Sequence, residues 1–136
     1  MKKVNQGRNV KEMWLFHGTD NKHIDAICNQ NFDWRLCGVH GTRYGQGSYF
    51  ARHAKLSHPY TTLTPDGTRL MFFARVLVGD YVIGNPQMKR PPLRPGSTMC
   101  YDSCVNDITD PSIFVVFEKH QIYPEYLLEY EEQKTS

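Results

Sequence analysis

LFHGT at residues 15–19 and YGQGSYFA at residues 44–51 decide the fold of this chain. The first stretch is an apolar approach that ends in a polar triplet. The second is a turn punctuated by glycines, which delivers two aromatic rings onto a strand. Glycine lets a flat ligand lie against main-chain amides, and tyrosine supplies a rigid face with a polar tip. Together the two stretches predict a pocket for an aromatic amide.

The size and composition of the chain are typical of one intracellular domain. Its 136 residues suffice for a single core, and 16 basic against 14 acidic side chains leave a net charge of +2. That excess falls well short of the basic surface of a dedicated nucleic-acid binder. Apolar runs stay below the roughly 18 to 20 residues of a membrane span, and the charged start has no apolar export segment. We expect a soluble monomer in the cytoplasm or nucleus that binds neither nucleic acid nor membrane through this domain.

The four cysteines do not form a metal-binding pattern. Cys28, Cys37, Cys100 and Cys104 are not spaced as two close ligand pairs, and Cys37 with His40 makes at most half of a zinc site. We therefore expect no metal. Reduced, mostly buried thiols are the simpler expectation, and they suit the cytosol or nucleus.

The segment before residue 31 predicts a strand followed by a helix. Residues 13–17 are a short apolar run, and Thr19 or Asp20 can cap a helix over residues 21–29. The helix has apolar positions spaced to share one face, namely Ile24, Ile27 and Cys28.

A long loop joins the two quoted stretches. Residues 31–47 are rich in glycine and lack periodicity, and loops of this length inside compact domains are usually functional or disordered. We predict that this loop covers a ligand. Residues 48–51 then predict a short strand, and residues 53–60 predict one or two helical turns that carry Ser57 and Tyr60 away from it.

Strands dominate the second half of the chain. Residues 70–84 predict one long strand with a bend or bulge at Gly79, and the proline-rich residues 85–96 predict a surface connection. The apolar residues 113–117 predict a strand at the centre of a sheet.

The last predicted elements are two partner strands, over residues 121–123 and 126–130, separated by Pro124 and Glu125. Helices are few and short throughout. This pattern predicts an α+β fold with mainly antiparallel sheets packed over one core.

Several motifs in this order resemble the catalytic domain of the poly(ADP-ribose) polymerase family, the diphtheria-toxin-like ADP-ribosyltransferases. They are the two quoted stretches, Ser57, Tyr60 and the Ile113 strand. NFDWR at residues 31–35, YDSCV at 101–105 and QIYPEY at 121–126 further resemble the mono-ADP-ribosylating subgroup, in particular members with CCCH zinc fingers and WWE modules upstream. The similarity runs from residue 13 to residue 130.

The resemblance implies the ADP-ribosyltransferase fold, with NAD as co-substrate in a cleft between its sheets and no metal. Gly18 would offer its backbone N–H and C=O to the nicotinamide carboxamide, and Ser57 would offer its hydroxyl to the same group. Tyr60 would stack on one face of the nicotinamide ring, and Tyr49 would pack against the other.

The resemblance also implies contacts to the rest of the dinucleotide. His17 would hydrogen-bond the adenosine-side ribose, with Thr19 nearby. Arg35 or His40 in the covering loop could contact adenine or phosphate. Glu118 lies just beyond the 113–117 strand, where a solvated charge is expected rather than a catalytic acid.

Ile113 stands where the chain-elongating members of the family have a glutamate. That glutamate would hold a ribose hydroxyl, stabilise the charge that develops as nicotinamide leaves, and polarise an incoming hydroxyl. Isoleucine can do none of these things. The resemblance therefore implies catalytic positions at His17, Tyr49 and Ile113, and transfer that stops after one ADP-ribose.

The implied function is mono-ADP-ribosyl transfer from NAD to acceptor proteins, the protein itself included, with Asp and Glu side chains favoured and nicotinamide released. The alternative is a catalytically silent NAD-fold module that serves interaction in RNA-linked antiviral regulation. The presence of His17 and Tyr49 favours the enzyme. Because the family's catalytic domain normally begins earlier, we expect residues 1–136 to be a single catalytic domain truncated at its N-terminal side.

Overall fold

One sheet carries most of the secondary structure in the computed structural model, which describes residues 11–31 and 43–131. Within these residues the sheet has seven strands in the order β4–β5–β6–β2–β1–β3–β7. Neighbouring strands are antiparallel, except for the parallel pair β4 and β5. The strands are β1 (Glu12–Gly18), β2 (Ser48–Ala51), β3 (Arg69–Leu77), β4 (Tyr81–Ile83), β5 (Ser103–Val105), β6 (Ile113–Val116) and β7 (Ile122–Tyr130). The helices are α1 (Ile24–Gln30) and α2 (Ala54–Ser57), with 3₁₀ turns over Asn21–His23, His58–Tyr60 and Lys119–Gln121.

The inner face of the sheet forms the core, because successive side chains of a strand point to opposite faces. Leu15, Phe50 and Phe114, on different strands, are almost fully buried there, and Ile24 and Ile27 of α1 belong to the same core. The other face of β2 and β6 is left for the candidate site. The predicted α+β fold with mainly antiparallel strands is confirmed.

The predicted strand and helix before residue 31 are present, with shifted ends. Asp20 is the N-cap, and its carboxylate accepts a hydrogen bond from the Lys22 N–H at 3.0 Å. A 3₁₀ turn follows, so α1 begins only at Ile24, and it ends where Asn31 adopts a φ of 65°. No helix in the described ranges is long and apolar enough to cross a membrane.

The cysteines correct one expectation. Cys104 is buried and Cys100 is half-buried, but Cys28 is exposed, so the prediction that it lies on the inner face of the helix was wrong. Consecutive helical residues are about 100° apart. Only the side of α1 that carries Ile24 and Ile27 faces the core, and Cys28 lies beside it. Cys37 lies outside the described residues.

The predicted long strand over residues 70–84 is two strands. After β3 the chain turns at Gly79, which has a φ of 54°, and runs into β4 at the far end of the sheet. The Asp102 carboxylate accepts a hydrogen bond from the Asp80 N–H at 2.8 Å and so holds this turn. Three strands separate β3 from β5 in the sheet order, yet the Ser103 hydroxyl donates to the Val78 carbonyl at 2.8 Å. The sheet is therefore strongly curved.

The two strands predicted around Pro124 are one. β7 runs from Ile122 to Tyr130 along β3, and the register shifts where Tyr126 faces Phe73 and Pro124 faces Ala74. Glu125 is the extra residue of a β-bulge. Proline is tolerated because β7 is an edge strand, where one side of the backbone needs no partner.

Candidate functional site

A cavity of about 370 Å³ opens beside β2 and β6, on the side that carries Tyr49, Ala51 and Ile113. β1 ends at it, β2 and β6 form its floor, and α2 with the following 3₁₀ turn forms a wall. Five residues singled out from the sequence line it together, namely Gly18, Tyr49, Ser57, Tyr60 and Ile113. Residues from five separate elements therefore meet at one place.

At Gly18 the backbone of β1 lies close against α2. A Cβ atom at this position would lie 2.0 Å from the carbonyl oxygen of Ser57, so no other residue fits without moving the helix. Ser57 is buried, and its hydroxyl donates to the Phe16 carbonyl at 3.1 Å. Its oxygen keeps lone pairs that can accept a hydrogen bond from a ligand amide.

Tyr49 is held firmly by its hydroxyl. That group donates to the Gly45 carbonyl at 2.8 Å and accepts from the Tyr44 N–H at 3.0 Å, which closes the glycine turn before β2. Burial raises the pKa of Tyr49. The hydroxyl thus stays protonated near neutral pH, and the ring serves as a fixed flat face rather than as a base.

His17 and Thr19 are buried but are not among the residues that line the cavity. His17 Nδ1 lies 2.7 Å from the Tyr49 carbonyl oxygen, and because a carbonyl only accepts, Nδ1 carries the proton. The imidazole thereby ties β1 to β2, and its ring lies 5.3 Å from that of Phe50. Thr19 Oγ1 has no hydrogen-bond partner among the described residues.

Ile113 brings an apolar side chain to the cavity floor, opposite Ala51 of β2. The Asn106 side chain fixes its backbone by accepting from the N–H groups of Ser112 and Ile113, at 3.0 and 3.1 Å. Among the described lining residues there is no carboxylate. Glu118 lies outside the cavity with its side chain 64% exposed, as expected for a solvated charge.

The cavity also contains residues that the sequence did not mark as site residues. Phe50, Ala51 and Tyr44 belong to the second quoted stretch, and Leu56 directly precedes Ser57, so their position beside marked residues was the available signal. For Arg43 the sequence offered no such signal. Its guanidinium lies over the Tyr44 ring at 5.9 Å, and its hydrogen bond to the Tyr44 side chain raises its pKa.

The sequence model of the poly(ADP-ribose) polymerase (PARP) catalytic domain matches residues 1–132. This chain belongs to the PARP catalytic domain family. Human protein mono-ADP-ribosyltransferase PARP12 is 60% identical over 131 residues, which cover 96% of this chain and 18% of PARP12. Mouse protein mono-ADP-ribosyltransferase PARP11 is 45% identical over 141 residues, which cover 89% of this chain and 43% of PARP11.

A third relative, mouse protein mono-ADP-ribosyltransferase PARP10, is 41% identical over 126 residues, which cover 90% of this chain and 13% of PARP10. The chain therefore spans less than half the length of each of these relatives. The resemblance to the family stated from the motifs is confirmed.

Two expectations for this PARP domain concern the loop between the quoted stretches. Arg35 and His40 lie outside the described residues, so their contacts stay predictions.

In the part of the chain that the structure describes, no three His, Cys, Asp or Glu side chains are grouped as metal ligands would be.

Proposed function

We propose that this domain transfers one ADP-ribose from NAD to a side chain of an acceptor protein, itself included, and releases nicotinamide. The observation that carries the proposal is the meeting of Gly18, Tyr49, Ser57 and Tyr60 around one cavity whose described lining has no carboxylate. The names of PARP12, PARP11 and PARP10 as mono-ADP-ribosyltransferases support the same reaction.

The cavity suits the nicotinamide end of NAD. An aromatic carboxamide presents two flat faces, an acceptor oxygen and an N–H₂ donor. The Ser57 oxygen can accept from that donor, and the missing side chain of Gly18 lets α2 bring Ser57 against the β1 backbone at the cavity. The rings of Tyr49 and Tyr60 offer faces for stacking, worth about 0.5–1.5 kcal/mol beyond burial.

For the adenosine-side ribose we propose Thr19 and His17. Thr19 Oγ1 is a buried hydroxyl with no hydrogen-bond partner among the described residues, and a ribose hydroxyl that reached it would supply one. His17 Nδ1 is already bonded to the Tyr49 carbonyl, so a ribose contact would be made by Nε2. Through this bond, a ligand that orders His17 would also steady β2.

The reaction breaks the bond between C1″ of the ribose and the nicotinamide nitrogen, and the electron pair leaves with nicotinamide. The transition state is oxocarbenium-like, so the domain has mainly to hold the substrate in position and exclude water. Leu56 and Ile113 contribute apolar surface for that purpose. Without a glutamate at position 113, an acceptor carboxylate is the group best suited to meet the positive charge. For the same reason a second ADP-ribose is not added to the first.

The test is automodification of the full chain with labelled NAD. Wild type is expected to release nicotinamide and to take up single ADP-ribose units. Tyr49→Ala should lower transfer by up to roughly tenfold, because a stacking face is lost. Tyr126→Ala removes an exposed tyrosine outside the cavity and is expected to transfer as wild type does.

Two results would count against the proposal. Long ladders of label would exclude single transfer. Calorimetric binding of NAD by wild type, with neither nicotinamide release nor label, would favour the silent interaction module.

The setting of the domain follows from the same proposal. NAD and proteins with exposed carboxylates are its proposed partners, and the cytoplasm or nucleus its proposed location. The described cysteines are free thiols, which supports a reducing compartment. We propose a monomer, which sedimentation of the full chain would test.

A further inference from the structure

Arg43 is the one charged side chain among the described residues that line the cavity. It is exposed and yet lines the cavity, so it lies at the rim, with its guanidinium over the Tyr44 ring. Arg52, Arg75 and Arg94 differ from it, because each is paired with carboxylates of this chain. In the described ranges no carboxylate pairs with Arg43.

A cation at this rim is unexpected for the proposed reaction. The transition state is itself positively charged at C1″, so a bare guanidinium in the same cavity opposes it. The opposition disappears when an anion sits between the two positive charges. An anionic partner of Arg43 during the reaction therefore fits this chemistry.

Two anions are available in the proposed reaction, the pyrophosphate of NAD and the carboxylate of an acceptor. Arg43 shares the cavity with Tyr49 and Tyr60, the two rings proposed to flank nicotinamide. C1″ is bonded directly to the nicotinamide ring, whereas the ribose separates the pyrophosphate from that ring. An anion held beside these tyrosines is thus closer to C1″ than the pyrophosphate is.

We propose that Arg43 binds the carboxylate of the acceptor Asp or Glu and presents it to C1″, which makes Arg43 a determinant of acceptor specificity. The inference rests on the proposed function. A guanidinium can hold one carboxylate through two parallel N–H···O bonds, which fixes its direction as well as its distance.

The step is balanced without a further reactant. One carboxylate oxygen forms the new bond to C1″, and the bond from C1″ to the nicotinamide nitrogen breaks. Nicotinamide leaves as a neutral molecule with the bonding electron pair. The negative charge of the carboxylate cancels the positive charge of the nicotinamide ring, so no proton is released.

The experiment compares transfer with NAD hydrolysis in the full chain. The probe is a synthetic peptide with one glutamate, set against the same peptide with glutamine, and labelled NAD is saturating. Arg43→Ala is expected to lower kcat/KM for the glutamate peptide roughly tenfold more than it lowers NAD hydrolysis. Arg43→Lys should recover part of the loss, since it restores the charge but not the two-pronged geometry.

Arg90→Ala is the matched control, because Arg90 is exposed and does not line the cavity. It is expected to leave the ratio of transfer to hydrolysis at the wild-type value. Binding of benzamide, which needs only the nicotinamide end of the cavity, checks that each variant is folded.

Specific outcomes would overturn the inference. A parallel fall of transfer and hydrolysis with a raised KM for NAD would assign Arg43 to the pyrophosphate. An unchanged ratio in Arg43→Ala that binds benzamide normally would leave Arg43 no role in acceptor choice. A wild-type chain that neither hydrolyses NAD nor takes up label would instead overturn the proposed function.

Discussion

The cavity and the turn between β3 and β4 use polar groups in opposite ways. At the turn, Asp80, Arg94 and Asp102 form a charged group that we call the crossover cluster. Arg94 donates to both carboxylates, and its Nε–H donates to the Cys100 carbonyl at 3.1 Å. These charges are paired with one another within the protein, and the pairing holds the turn in place.

At the cavity, groups that are fixed by the protein still present a ring face, lone pairs or a charge to the cavity. The Tyr49 hydroxyl forms its hydrogen bonds to the turn before β2, but the Tyr49 side chain still lines the cavity. Ser57 donates to Phe16 and keeps lone pairs, and Arg43 rests on an aromatic ring rather than on a carboxylate. The difference teaches that charges paired within the protein mark structural support. Groups that are held in place and can still bind a further partner mark a site.

The strongest way to break this comparison is Gly18→Ala. The new methyl group would lie 2.0 Å from the Ser57 carbonyl oxygen, so α2 must move away from β1 and take the wall of the cavity with it. We expect transfer to fall roughly 100-fold, as it does when a site is displaced by about 1 Å. Unfolding free energy should fall by about 2–3 kcal/mol. Initial rates with labelled NAD and thermal melts measure the two effects.

Gly67→Ala is the control for the added methyl group. Gly67 has a φ of 83°, and nothing lies within 4 Å of the position of a Cβ. Its substitution should cost about 1 kcal/mol of stability through backbone strain and leave the rate per folded molecule unchanged. Equal rates for the two variants would show that Gly18 has no special part in the cavity.

Arg94→Ala tests the other side of the comparison. It leaves the Asp80 and Asp102 carboxylates close together without their shared partner. We expect a loss of about 2 kcal/mol in unfolding free energy, measured by urea titration, with transfer per folded molecule unchanged. A fall in transfer larger than the loss of folded protein would mean that the crossover cluster acts on the site.

Local sequence was enough to predict most elements, and the resemblance to the family added the site roles of five members of the cavity lining. β2 runs over the predicted residues, and Asp20 is one of the two predicted caps. Gly18 and Tyr49 were found because short motifs carry their own backbone requirements. Such features depend on neighbours in the chain, which a sequence displays directly.

Features that depend on distant residues were missed. The turn at Gly79 after β3 is held by Asp102, and the single β7 is set by its pairing with β3 across the bulge at Glu125. Arg43 faces the cavity only because β2 and the 3₁₀ turn after α2 bring Tyr49 and Tyr60 beside it. These contacts join residues far apart in the chain, so no local sequence pattern predicts them.

The smallest expected effect concerns Cys104, which follows the crossover cluster on β5. Burial raises the pKa of its thiol from 9.0 to about 11. Above pH 9 the unfolded chain therefore loses this proton before the folded protein does, and stability falls as the pH rises. The contribution is about 1 kcal/mol at pH 10, and Cys104→Ala should remove it. The measurement is the slope of unfolding free energy between pH 8.5 and 10.5, with the exposed Cys28→Ala as control. Equal slopes in wild type and Cys104→Ala would show that the thiol ionises alike in both states and would contradict the prediction.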